Sequence, residues 1–267
     1  MAIPVAIPKN SPWKTQRLVV FGLFVRECKT RLGPGNFGII WTLLKPLMSV
    51  LVIGILLAPF MGRSAAGIPY AMFLLLGFLP FELFGGIVNS SLTAFTANQG
   101  LIVHRKVRPT DPIYARVLFE LVVTVLAFLI FLGLATFIFD ATPTFSDPMK
   151  IFGAFLAVTL MGTGLGFFSA VSSHRHKDME KLIPNILRPM FFLSCVIYPL
   201  EVIPNNFQKY LLANPFVHVH ESLRVSLYPH YRTGDVNVIY PIAVGLAVFW
   251  FGMAFYRVNR HILYDLE

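Results

Sequence analysis

Between residues 37 and 61 the chain reads FGIIWTLLKPLMSVLVIGILLAPFM, an apolar block carrying a single charge, Lys45. A block of that length has no polar face, so it suits a helix across a bilayer and not a surface helix of a water-soluble domain. Comparable blocks recur at 69–95, 114–139, 149–171, 184–200 and 238–256, divided by breakers such as DATPTFSDP at Asp140–Pro148. Composition bounds their number: 56% of 267 residues are hydrophobic, about 150 side chains, which at ~20 per span fill about six helices. The charged share of 13% is about half that of a soluble domain, so a separate globular domain is not expected. The expected fold is an all-α membrane protein with six transmembrane helices and one domain over 1–267.

Lysine and arginine are spread unevenly between the loops. The N-terminal segment, the second-to-third loop, the fourth-to-fifth loop and the tail carry sixteen; the opposite set carries five, with Lys45 left inside the first span. The richer side is expected to be cytoplasmic, with both termini there. The formal charge of +9 is then a topology signal, and no nucleic-acid partner is expected. Cys28 and Cys195 match neither metal-ligand spacing nor a disulfide framework. The N-terminal stretch, with Pro4, Pro8 and Pro12 among basic residues, lacks a signal-peptide pattern, so insertion is expected to rely on the first span.

Two segments fit no span. Residues 13–31 hold a short apolar stretch, Leu18–Val25, bracketed by basic residues. They are expected to lie as a helix in the cytoplasmic interface, held by Trp13 and by basic side chains near anionic lipid. Gly33-Pro34-Gly35 then turns the chain into the membrane. Residues 201–237 are too apolar for an open loop and too broken to span. Pro204-Asn205-Asn206 and Asn214-Pro215 read as helix starts, giving two short external helices that re-enter the outer leaflet.

No covalent chemistry is legible: the chain has no GxxxxGK[ST], HExxH or GxSxG. Gly162-Thr163-Gly164-Leu165-Gly166 lies inside a span and reads as a surface for close helix packing. His174-Arg175-His176 with Asp178 reads as a solvated loop in which nothing fixes a tetrahedral ligand set, so no metal is expected. His218 and His220 fall on opposite sides of a helix.

Charges at membrane depth are costly and therefore informative. Lys45 either snorkels to the interface or faces an anionic cargo, and Glu82 is expected to make a structural or intersubunit contact. Glu120 follows Arg116 by one helical turn and is expected to pair with it. The rings of Phe37, Trp41, Phe78, Phe81, Phe84, Phe191, Phe192 and Tyr198 either face lipid or line a path on which sugar faces stack. The segment TANQGLIVHRKVRPTDPIYARVLFE, with a glycine, a basic cluster and then Pro109 and Pro112, reads as a compact knob that docks on another protein or as a plain solvated loop.

Four stretches follow one another with a shared spacing: LFVRECKTRLGPGNFGIIWTLLKP, ANQGLIVHRKVRPTDPIYARVLFE, DMEKLIPNILRPMFFLSCVIYPLEVIP and YLLANPFVHVHESLRVSLYPHY. In them the chain resembles the membrane subunits of ABC-2 type polysaccharide exporters, and within those the capsular-polysaccharide export permeases of Gram-negative bacteria. Arg31, Gly38, Trp41 and Pro46 stand in that family's places; the Gly33-Pro34-Gly35 turn departs from its pattern.

The resemblance implies the ABC-2 (type V) exporter architecture: six spans, an N-terminal interface helix over 13–31 and two short periplasmic re-entrant helices over 201–237. It implies a pair of identical chains in the inner membrane, each docked by a separate ATPase that binds the ATP and Mg, so that this chain is no enzyme and holds no cofactor. The coupling element toward that ATPase would span 98–112, with Asn98, Gln99, Gly100, His104, Arg105, Lys106 and Arg108. The cargo would be a lipid-linked acidic glycan entering past Arg26, Lys29, Arg31, Trp41, Lys45, Arg188, Phe191, Phe192 and Tyr198. A periplasmic gate would include Asn214 and the pair Glu221 and Arg224, and a periplasmic co-polymerase or adaptor and an outer-membrane channel would complete the route. Permeases for O-antigen or teichoic-acid glycans share this architecture. A membrane-embedded lipid or glycan transferase would need a catalytic carboxylate or histidine in an aqueous cleft, for which the sequence offers Glu82.

Overall fold

The computed structural model describes residues 11–33, 36–61, 64–102, 107–138, 143–231, 234 and 236–263. Pro4, Pro8, Pro34, Gly35, Arg63, His104, Arg105, Lys106, Asp140 and Arg232 lie outside the described residues.

The chain forms α1 (Pro12–Leu32), α2 (Asn36–Met61), a two-stranded hairpin of β1 (Ser64–Ala65) and β2 (Ile68–Pro69), and α3 (Tyr70–Leu92). A 3-10 turn at Thr96–Asn98 leads into the four-residue α4 (Gln99–Ile102), followed by α5 (Thr110–Ile138) and α6 (Pro148–Arg175). Then come α7 (Met179–Leu193), α8 (Asn205–Leu211), α9 (Pro215–Leu227) and α10 (Ile239–Asn259). Among the described residues, α2, α3, α5, α6 and α10 are long and apolar enough to cross a membrane, with charges kept to their ends or to isolated positions. The hairpin pairs Ser64 with Pro69 and Ala65 with Ile68 through Ala66 and Gly67, both at positive φ as a tight two-residue turn demands.

One expected span takes another form. Instead of a helix over 184–200, α7 begins at Met179 and ends at Leu193, 15 residues, or ~22 Å at 1.5 Å per residue. Pro184 and Pro189 lie inside it, and the chain then turns with Cys195 in the left-handed region at φ +53. The break is held from afar: Arg224 Nη2 donates to the carbonyls of Cys195 (3.0 Å) and Val196 (3.1 Å). Asn214 Nδ2 donates to Leu193 O and to Ser194 Oγ, both at 3.1 Å. Apolar length cannot reveal such a stop, because its partners lie 20 or more residues away in sequence.

α3 is the buried centre of the bundle, packed against α2, α5, α6, α7 and α9. The Gly162–Gly166 surface does pack closely, as expected from its small residues. Gly162 faces Ile87, Gly166 faces Ser91, and Gly164 meets the α10 backbone at Val248–Phe249. A methyl group at Gly252 would collide with the Gly164 carbonyl, so α6 and α10 meet almost backbone to backbone. α9 lies within the bundle: Phe216 packs on Phe81 and Phe84 midway along α3, while Leu227 joins the apolar cluster of Tyr70 at the start of α3. Its start follows the sequence signal, since Asn214 Oδ1 accepts from Phe216 N and Pro215 takes the first helical position. α8 begins after Pro204 without a side-chain cap, so neither Asn205 nor Asn206 caps it.

The connections segregate to two ends. α1, the 96–102 segment, the start of α5 and the ends of α6 and α10 meet at one, through Arg26 with Asn98, Ser173 with Leu92 and Phe95 with Tyr256. At the other, Thr144 and Ser146 bond the carbonyls of Leu227 and Ser226 at the end of α9, and Gly153 faces Val238 beside α10. These are the two groups of loops whose basic residues differ so strongly in number.

Candidate functional site

A cleft of about 910 Å³ opens between α2, α3, α5 and α7. Its walls include Trp41, Thr42, Lys45 and Ser49 from α2, and Phe78, Phe81, Glu82, Asn89 and Ser90 from α3. Phe119, Glu120 and Thr124 come from α5, Arg188, Phe191 and Phe192 from α7, and Arg31 from the end of α1. Six of the residues singled out as a cargo path thus meet here: Arg31, Trp41, Lys45, Arg188, Phe191 and Phe192. Three do not line it. Arg26 turns to Asn98, Lys29 is exposed on α1, and the Tyr198 hydroxyl donates to Phe192 O at 2.8 Å. Phe78, Phe81, Phe191 and Phe192 interlock edge to face with centroids 5.3–5.9 Å apart, a rigid aromatic wall.

Lys45 and Glu82 answer each other across the cleft, Nζ to Oε1 at 3.3 Å. Nothing in the sequence pairs the two, because a contact between residues 37 apart on different helices leaves no local signal. Glu82, the carboxylate a transferase would need, faces the cleft already committed to an ammonium group. Glu120 is also paired, accepting from Arg31 Nη1 at 2.7 Å.

The α1 end of the cleft carries a polar network. Arg31 bridges Glu27 (2.7 Å) and Glu120 (2.7 Å) and lies 5.0 Å over the Phe119 ring. Arg116, buried, reaches Glu27 at 3.5 Å, the Ser90 carbonyl and Thr93 Oγ1. The expected Arg116–Glu120 pair is therefore replaced by cross-helix partners: α1 supplies Glu27 and Arg31, and these take over both members. Of the basic residues expected near lipid, these contacts take up two, whereas Lys14, Arg17 and Lys29 stay exposed. Arg26 and Arg31 turn into the protein, while Trp13, Leu18 and Phe21 form the exposed side. Glu27, which no motif flagged, sits on the same stripe as Leu23 and Arg31, the spacing that lays one helix face against α5.

α1 is tied to Asn98, Arg108 and Asp111 as well. Arg26 donates to Asn98 Oδ1, and Asn98 Nδ2 donates to Ala94 O at 2.8 Å, so Asn98 is a buried anchor. Gln16 donates to Asp111 (3.3 Å) and accepts from Arg108 Nη1 (3.0 Å), while Asp111 also accepts from the Arg108 amide (2.9 Å). Gln99 and Gly100 are exposed beside this anchor.

At the far end, Glu221 and Arg224 form an ion pair at 2.7 Å with neither side chain exposed. The guanidinium lies 3.5 Å from the Phe73 ring centroid, a cation–π contact that adds to its backbone bonds. His220 on the same helix donates from Nδ1 to the Ser194 carbonyl at 2.8 Å. Burial, followed by the nearby Arg224, pushes its pKa down to about 3. Glu221 and Arg224 face each other and the break after α7, not the exterior.

A family model described as ABC-2 type transporter matches residues 19–228, which include the cleft helices α2, α3, α5 and α7 and the buried α9. The polysialic acid transport protein KpsM of Escherichia coli is 32% identical over 254 residues, 95% of this chain and 98% of that protein. The capsule polysaccharide export inner-membrane protein CtrC of Neisseria meningitidis serogroup A is 26% identical over 239 residues, 90% of each chain. The O-antigen export system permease protein RfbA of Myxococcus xanthus is 25% identical over 252 residues, 91% of this chain and 93% of that one. With a helical bundle, a charged aromatic cleft and similarity along its length to such proteins, this chain belongs to the ABC-2 type transporter membrane family.

Proposed function

We propose that this chain is the permease of an ATP-driven transporter that exports lipid-linked capsular polysaccharide across the inner membrane. The observation that carries this reading is the cleft itself: exposed rings of Trp41 and Phe192 beside Lys45, Glu82 and Arg188, in a chain similar end to end to polysaccharide-export permeases. Such walls offer apolar faces to sugar rings and charges to their substituents without demanding one sugar identity. Similarity to RfbA supports a second reading, export of an O-antigen glycan by the same architecture.

The finer points belong to the same proposal. Five long helices plus α7 and the turn after it make six crossings, with α8 and α9 as the re-entrant pair. The uneven lysine and arginine distribution puts α1 and both termini in the cytoplasm. The exposed Gln99 and Gly100, with His104, Arg105, Lys106 and Arg108, dock a separate ATPase that supplies ATP and Mg, and a second copy of the chain completes the conduit. A periplasmic adaptor and an outer-membrane channel receive the glycan.

Deleting the gene in its host and restoring it tests the reading. The deletion strain should lose its surface glycan and accumulate it, lipid-linked, inside; an unchanged surface overturns the proposal, and the identity of the retained glycan separates capsule from O-antigen. Charge reversal at Arg105 and Lys106 should leave the protein inserted and uncouple ATP hydrolysis from export. Normal export by that variant removes the coupling assignment.

A further inference from the structure

The cleft is lined by three cations, Arg31, Lys45 and Arg188, and by two carboxylates, Glu82 and Glu120. Arg31 is held by Glu120 and Lys45 by Glu82, and among the described residues no carboxylate lies within ion-pair reach of Arg188. The wall therefore keeps one uncompensated positive charge, on α7.

Two helices repeat one arrangement. On α2, Lys45 follows Trp41 by one helical turn; on α7, Phe192 follows Arg188 by one turn. Both rings are exposed, Trp41 at 69% and Phe192 at 59%, so each helix offers a free aromatic face with a cation ~5–6 Å away along the same side. That spacing suits a sugar acid, whose C–H face is apolar and whose carboxylate projects from the ring edge. A neutral sugar uses the rings alone.

The two carboxylates differ in how firmly they are committed. Glu120 is largely shielded and accepts at 2.7 Å from an arginine that also holds Glu27. Glu82 makes a single 3.3 Å contact, with Lys45 69% and Glu82 40% exposed, and a wet pair of this kind is weak enough to exchange for another anion.

Resting on the reading of this cleft as a glycan path, we propose that Trp41 with Lys45 and Phe192 with Arg188 are paired clamps for acidic sugar units, and that Glu82 is the internal counter-ion an incoming carboxylate displaces from Lys45. Arg188 takes the first carboxylate, since its charge is free and its fork can hold a carboxylate by two bonds. Glu82 keeps the α2 clamp neutral while the cleft is empty, and it favours glycans charged densely enough to compete with it.

The test uses the full chain in nanodiscs of neutral phosphatidylcholine, titrated calorimetrically with an oligomer of sialic acid, a maltooligosaccharide of equal length and short-chain phosphatidic acid. The sialic acid oligomer should bind about tenfold more tightly than the neutral sugar. Arg188→Gln should remove most of that difference, with an unchanged thermal unfolding profile reporting intact folding; Arg188→Lys should restore part of it. Glu82→Gln should tighten acidic binding several-fold.

Loss of acidic binding on Glu82→Gln overturns the counter-ion assignment, and no change on Arg188→Gln overturns the α7 clamp. An Arg188-dependent response to phosphatidic acid in place of the sugar acid overturns the sugar clamps and moves the anion site to the lipid anchor. Equal binding of both sugars defeats this inference alone, whereas binding of neither also defeats the glycan-path reading beneath it.

Discussion

Glu27 and Glu221 each sit beside arginines, in surroundings built on opposite plans. Around Glu27 three helices share the charges: Arg31 divides itself between Glu27 and Glu120, and Arg116 between Glu27 and two acceptors near the end of α3. Arg31 stays 30% exposed, so water reaches the network, and Arg31, Arg116 and Glu27 each have a second partner. Around Glu221 nothing is wet. Its partner Arg224 lies over the Phe73 ring and donates through Nη2 to the backbone of the break after α7. A network with spare partners can exchange them at small cost, whereas a dry pair loses everything with one member. The charges at the α1 end are thus the more exchangeable of the two sets, and those at the α9 end the more firmly fixed.

The sharpest way to break this contrast is Arg224→Leu. It leaves Glu221 charged without a partner and releases the Cys195–Val196 turn, and should cost about 3–5 kcal/mol in thermal or denaturant unfolding of the detergent-solubilised protein. Adding Glu221→Leu to it should recover most of the loss, since the orphaned charge is then gone. A single variant as stable as the parent would show that the α9 end is no lock.

At the other site Glu27→Gln should cost about 1–2 kcal/mol, because Arg31 keeps Glu120 and Arg116 keeps its carbonyl and hydroxyl acceptors. The effect on coupling should exceed the effect on stability, read as ATP hydrolysis per glycan exported. A loss as large as that of Arg224→Leu would erase the distinction.

The smallest expected effect is a pH dependence confined to the α9 end. His220 stays neutral in the fold down to about pH 3, whereas in the unfolded chain it titrates near 6.5. Below ~6.5 the unfolded state takes up a proton that the folded state refuses, so stability is complete above that value and declines as pH falls toward 3. Between pH 7 and 5.5 the decline should be about 1 kcal/mol, and His220→Phe should flatten it. An unchanged slope in that variant would assign the acid sensitivity elsewhere.

Much of the architecture was legible because membrane insertion writes itself locally. Block length, proline and glycine breakers, and the Asn214-Pro215 start each act within a few residues, and the corresponding helices begin and end close to where those signals stand. The glycine cluster at 162–166 was legible for the same reason, since a missing side chain invites close approach whichever helix comes. The break at Ser194–Cys195 was not legible, because residues 20–30 positions away impose it. Nor were the partners of Lys45, Arg31 and Arg116, where a local spacing rule suggested Arg116 with Glu120 and the packing of α1 chose otherwise.

The sequence by itself determined that this chain lives in a bilayer, roughly how often it crosses, which loops share a side and which export family it resembles. Each follows from the cost of moving apolar and charged groups between water and lipid, a cost summed residue by residue. Only the tertiary structure decided which charges are spent on one another and which, like Arg188 among the described residues, have no carboxylate in ion-pair reach. That division depends on distances between helices far apart in the chain, and a charge is free or bound only once every neighbour within a few ångströms is in place.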